Sequence, residues 1–170
     1  GGSFTTIDGK IRNRIAAIDV TTGLATGWNP SANGVVYALA ISGSNVYAGG
    51  FFTSIGGQSR NNIAAIDLDT GLPITWNPNA SNRVSALVVS GSTLYVGGSF
   101  TTIDGKIRNR IAAIDLDTGH ATIWGPSAND PVTKLVVSGI NLYAGGYFTT
   151  ISGQTRNRIA AIDITTGFAT

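Results

Sequence analysis

Several short stretches of this 170-residue chain place carboxylates, hydroxyls and guanidinium groups at spacings that chemistry could use. The "DLDTG" runs at Asp67–Gly71 and Asp115–Gly119 open like a calcium loop, in which oxygen ligands alternate along the chain. Such a loop needs a third acidic ligand and a closing Glu, and the chain contains no Glu. In the equivalent stretches the second Asp is Thr21 or Thr165, so the runs read as turns and no metal is expected. Acid–base chemistry would have to rely on Asp and on one histidine, His120, which stands where equivalent stretches carry Leu24, Leu72 and Phe168. His120 reads as a surface residue on a hairpin tip. There is no Cys, and no base is paired with the many Ser and Thr, so no nucleophile is apparent. "SIGGQS" lacks the Gly-Lys-Ser/Thr ending of a phosphate loop. No catalytic residue and no cofactor is expected, and the chain reads as a non-enzyme.

The strongest polar signal is basic. Arg12-Asn13-Arg14, Arg60-Asn61, Arg108-Asn109-Arg110 and Arg156-Asn157-Arg158 recur at a fixed step. Guanidinium forks bind carboxylates and sulfates bidentately, so these residues suit acidic glycans or the carboxylates of another copy. An acidic set stands against them: Asp19, Asp67, Asp69, Asp115, Asp117 and Asp163. Nucleic acid is not an expected partner, because the net charge is only +2 and aromatics do not interleave with the basic residues. No apolar run approaches the roughly 18 residues of a membrane helix, so membrane insertion is not expected either.

The elements that must carry these groups are repeated. Gly1, Gly49, Gly97 and Gly145 fall 48 residues apart, each followed by a second Gly and then by Phe4, Phe52, Phe100 or Phe148. The nineteen residues "GGSFTTIDGKIRNRIAAID" occur twice, at 1–19 and 97–115. Trp28, Trp76 and Trp124 keep the same step. The chain is thus a single repeat array with units 1–48, 49–96 and 97–144 and an incomplete unit 145–170, about 3.5 repeats. Each unit reads as four short strands: "VVYALAISG", "NVYAGGFFT", "NNIAAIDL" and "LPITW", separated by Gly, Asn, Pro and Asp-x-x-Thr-Gly turn signals. No stretch has helical periodicity. Four strands per repeated unit predict an all-β β-propeller of four-stranded antiparallel blades. Within a blade the Gly pair predicts close approach of a neighbouring sheet, the Asp a turn acceptor, and the Trp a wedge between blades.

"LYVGGSFTTIDGKIRNRIAAIDLDTG" followed by "WGP", or "WNP" in the first two units, resembles the delta-60 type β-propeller repeats of large secreted and surface-attached bacterial proteins. Kelch repeats are a more distant likeness, with their Tyr replaced by Ile in "IAAID". The resemblance implies a propeller in an extracellular or cell-surface polypeptide, with no settled activity and no catalytic residues to carry over. A chain that opens at Gly1 reads as a piece of something longer.

In a four-stranded blade, alternate loops share a face. Sorted this way, one face holds ten basic residues: Lys10, Arg12, Arg14, Arg60, Arg83, Lys106, Arg108, Arg110, Arg156 and Arg158. They stand against Asp8, Asp104 and Asp130, whereas the other face holds the six Asp named above. The expected function is that of a structural, self-assembling extracellular module of a fibre or surface layer. Its partners would be other copies or further repeats, joined by salt-sensitive contacts between basic and acidic faces. The alternative is a glycan-binding propeller that uses the Arg/Asn face.

Overall fold

Strands and turns account for the entire chain. A computed structural model describes residues 1–170 and contains no helix. A small hairpin of β1 (Thr6–Ile7) and β2 (Lys10–Ile11) precedes β3 (Val35–Ser42) and β4 (Asn45–Phe51). A second hairpin follows, β5 (Ser54–Ile55) and β6 (Gln58–Ser59), and then β7 (Ile63–Asp67). The series recurs as β8 (Val84–Ser90), β9 (Thr93–Gly98), β10 (Thr102–Ile103), β11 (Lys106–Ile107) and β12 (Ile111–Asp115). It recurs again as β13 (Val132–Ser138), β14 (Asn141–Gly146), β15 (Thr150–Ile151), β16 (Gln154–Thr155) and β17 (Ile159–Asp163).

Three antiparallel sheets result, β3-β4-β7, β8-β9-β12 and β13-β14-β17, with β3, β8 and β13 as successive neighbours. Each first strand carries a bulge at the same place, between Val36 and Ala38, Val84 and Ala86, and Val132 and Lys134. The sheets form an arc that does not close.

The sequence predicts a full fourth strand in each unit, and the structure contains much less. "LPITW" and its equivalents are held by one bridge pair each: Ile66 with Pro73, Ile114 with Ala121 and Ile162 with Ala169. Two backbone bonds flank each bridge, as from Asp67 N to Leu72 O and from Ile74 N to Ala65 O, both 3.0 Å. The small hairpins, which the sequence reading treats as plain loops, lie along the outer side of these segments and bond their backbone groups.

Packing explains the other recurring residues. "IAAI" is apolar on both faces because the sheet lies between two others; Ile63–Ile66 and Ile111–Ile114 are all buried. In the first three Gly pairs, the first residue faces the next sheet: a Cβ on Gly49 would lie 2.5 Å from Val84 Cγ1. The second faces its own sheet, and a Cβ on Gly50 would lie 2.2 Å from Val35 O. One glycine therefore sets the spacing between sheets and the other the spacing within a sheet. Apolar clusters fill the three spaces that follow, the first between Ile15 and the β3-β4-β7 sheet and the others between successive sheets.

Candidate functional site

The acidic residues are built into turns. Asp67 Oδ1 accepts the Asp69 N–H at 3.2 Å, the Thr70 N–H at 2.7 Å and the Thr70 hydroxyl at 2.7 Å. Asp19, Asp115 and Asp163 accept the equivalent three bonds. These bonds, the backbone one from the Thr first, hold all four carboxyls below the ordinary aspartate range. Asp69 and Asp117 remain as exposed side chains on the turns. The turn also serves the neighbouring sheet. Asp67 O accepts the N–H of Gly71 and, at 3.1 Å, the indole N–H of Trp28 from the preceding unit. Trp76 donates likewise to Asp115 O, and Trp124 to Asp163 O. Gly71, at φ +71°, leaves the indole room: a Cβ there would touch Trp28 Cδ1 at 3.3 Å. The Asp-x-x-Thr-Gly turn is therefore a dock for the preceding unit's Trp.

The first basic residue of each set is also engaged. Arg12 donates to Thr26 O, Arg60 to Ile74 O, Arg108 to Thr122 O and Arg156 to Thr170 O. Each of these carbonyls belongs to the abbreviated outer segment of the same unit. Arg60 is buried and donates as well to Gln58 Oε1 and Ser59 O. Lys10 and Lys106 bond the carbonyls of Ala25 and Ala121, and Asp8 and Asp104 accept the N–H of the same two alanines. Side chains at 8, 10 and 12 alternate along the hairpin, so all three point at the outer segment and satisfy the backbone groups that a further strand would otherwise pair. Lys10 and Asp8 lie 3.6 Å apart, and Lys106 and Asp104 3.3 Å. These residues lie against the outer segments of their own units.

His120 is exposed, as expected, and its Nδ1 lies 3.3 Å from both oxygens of Asp104. Burial works to raise the Asp104 carboxyl, but the Ala121 N–H, His120 and Lys106 outweigh it and hold the group low.

In the first unit the second basic residue faces the loop that leads to the next sheet. Arg14 donates to Ala32 O, and in the second unit Asn62 makes the same bond to Ala80 O. Arg110 reaches Phe100 O at 3.5 Å. Asn13 and Asn109 donate to Ser31 and Ser127 Oγ, the Asn61 carbonyl accepts the Ala80 N–H, and Asn157 and Arg158 are exposed. The eleven Arg and Asn are thus distributed unit by unit and do not converge on one centre. A groove of about 610 Å³ on the loop side gathers Arg14, Asn33, Asn61 and Asn62 around Phe51. Sequence reasoning missed Phe51 and the Asp8-Lys10-Arg12 strap; the period of two in "DGKIR" is the signal that reveals the strap.

Comparison with known proteins agrees with this architecture. A family described as "Domain of unknown function (DUF5122) beta-propeller" matches residues 141–160, from β14 into β17. Among solved structures, the chain is similar to BamB from Moraxella catarrhalis, a propeller, with 25% identity and a TM-score of 0.60. That match covers 91% of this chain and 41% of the other, so the chain spans less than half of BamB's length. The computationally designed Ika4 protein is similar at 21% identity and a TM-score of 0.54, with 81% of this chain and 71% of that one covered. No curated protein sequence matches. The fold is all-β and propeller-like.

Proposed function

We propose that this chain is a non-catalytic structural module, an array of delta-60 type propeller repeats that assembles through the two ends of its arc. One observation carries the reading. On the last sheet Val136 and Ile159 are 61% and 69% exposed and Tyr143 is 42% exposed, whereas the equivalent Tyr95 and Ile111 are buried against the next sheet. A contiguous apolar face of this kind marks an interaction site. The polar groups that could have recognised a small ligand are largely used within the chain, on turns and on the outer segments. The extracellular or surface setting belongs to the same proposal and rests on the resemblance of the repeat.

Sedimentation velocity across concentration and salt tests this. Apolar end contacts predict oligomers or filaments that persist at high salt, because screening weakens exposed ion pairs and not apolar burial. Tyr143→Asp with Ile159→Asp should return the protein to monomer. A parent chain that stays monomeric at every concentration overturns the reading.

The groove around Phe51 favours a second reading, an acidic-glycan site. An exposed aromatic ring beside the Arg14 guanidinium and the Asn61 amide suits a carboxylated or sulfated sugar. Retention on immobilised acidic polysaccharide that is lost in Phe51→Ala and Arg14→Ala supports it, and no retention of the parent ends it.

A further inference from the structure

The first unit contains an apolar groove of about 450 Å³, lined by Ala16, Ala17, Ile18 and Trp28 on one side and by Leu39 and Ile41 on the other. The molecule contains the same wall twice more, and there it is filled. Between the first two sheets, Tyr47 and Ala40 pack among Ala65, Trp76, Leu87 and Val89. Tyr47 meets Trp76 edge to face, with ring centroids 5.1 Å apart, and Tyr95 meets Trp124 in the same way at 5.0 Å. Trp28 has no such partner. The exposure of matched residues records the difference: Ile18 is 40% exposed, while Ile66, Ile114 and Ile162 are fully buried. Ile41 is 63% exposed, while Val89 and Val137 are partly buried against the clusters.

The backbone carries the same signature. In β7, Ala64 and Ile66 face β4, and the register pairs Val46 with Ile66, Tyr47 with Ala65 and Ala48 with Ala64. The matching Ala16 and Ile18 make no backbone hydrogen bond, and Ile15–Asp19 is held on one side only, through Ala25. An apolar groove beside an unpaired strand edge is the arrangement that captures an added strand, with backbone bonds for affinity and pockets for alternate side chains.

We propose that this groove is a docking site for a β-hairpin of the repeat's own sequence, the β3–β4 or β8–β9 type. Its second strand would pair with Ile15–Asp19, and its Tyr would seat on Trp28. The inference rests on the reading of the chain as a repeat module. The occupant follows from continuity with the two interfaces already formed inside the molecule. Both carry a Tyr flanked by two apolar residues at this position, Val46 and Ala48 in one and Leu94 and Val96 in the other.

A synthetic peptide of residues 83–96, "RVSALVVSGSTLYV", added to the full chain is the test. Saturable one-to-one binding by calorimetry is expected, and a scrambled peptide should not bind. Trp28→Ala in the chain and Tyr95→Ala in the peptide should each weaken binding by about tenfold or more, since a buried aromatic anchor dominates such contacts. Absence of saturable binding, or binding indifferent to both changes, overturns the proposal. If the free peptide aggregates, the same fourteen residues fused ahead of Gly1 should raise the melting temperature by about 4 °C or more. The Tyr95→Ala version of that fusion should lose most of the gain, and equal melting of both fusions overturns the proposal. Peptide capture by a chain that stays monomeric upholds the groove and sinks the assembly reading. Oligomers that form while no peptide binds do the reverse.

Discussion

In the first three units the residue opposite the outer segment tracks the hydrogen-bonding capacity of that segment. Ala25 and Ala121 have an N–H, and Asp8 and Asp104 accept it. The equivalent Pro73 has none, and the residue facing it is Gly56, where a Cβ would lie 2.3 Å from the proline ring. Lys accompanies Asp in the first and third units, and Gln58 and Gln154 replace it where the Asp is absent. Ala121→Pro alone should therefore destabilise the protein by about 2 kcal/mol, through the lost bond and the clash with Asp104. Asp104→Gly with Ala121→Pro should recover about 1 kcal/mol or more relative to the sum of the single changes. Chemical denaturation of the four-member cycle measures this, and simple additivity would contradict the pairing. The turn aspartates make a separate prediction. Their carboxyls are held low in the folded state, so the stability that they contribute is complete above the unfolded value near 4 and is lost as pH falls through the folded value. Melting temperature should fall on acidification below about pH 4. Replacing Asp19, Asp67, Asp115 and Asp163 by Asn should flatten that limb, and an unchanged slope would show that other groups control it.

The Gly pairs and the Trp are elements of spacing, and their effects should depend on position in the arc. Gly49→Ala pushes a methyl into Val84 and should cost about 1–3 kcal/mol. Gly145→Ala, at the equivalent place on the last sheet, meets nothing closer than 3.8 Å and should be neutral. Equal effects by thermal denaturation would contradict the packing. The strands, the turns and this close approach were legible in the sequence, because periodicity, Asp-x-x-Thr-Gly and paired glycines each have a local physical cause. The strap was not. Asp8, Lys10 and Arg12 are charged, and local sequence does not say whether a charged hairpin points to water or folds back on a neighbouring carbonyl. "LPITW" had strand composition, yet only one bridge pair holds it to the neighbouring strand, and side chains of the small hairpin bond its outer carbonyls. The Arg/Asn sets were legible as residues and their partners were not, because most of the Arg partners are backbone carbonyls, which carry no sequence signal.

Each sheet contacts its neighbours alone, so stability should be graded along the arc. Amide exchange under native conditions should be slowest in β8, β9 and β12, which are covered on both sides, and faster in Ile15–Asp19 and in β17. Uniform exchange would mean that the arc unfolds as one body. The strap on the outer rim has a further consequence. Its side chains occupy carbonyls of each outer segment and, in the first and third units, the alanine N–H as well; its own strands are only two residues long, so the rim gives a foreign strand little to extend. Growth along the outer rim is thereby disfavoured, and the last sheet presents its apolar face at one end of the arc. On the proposed assembly through the two ends of the arc, the molecule would have, in the language of polymer chemistry, a valence of two, which permits lines and rings and forbids branching.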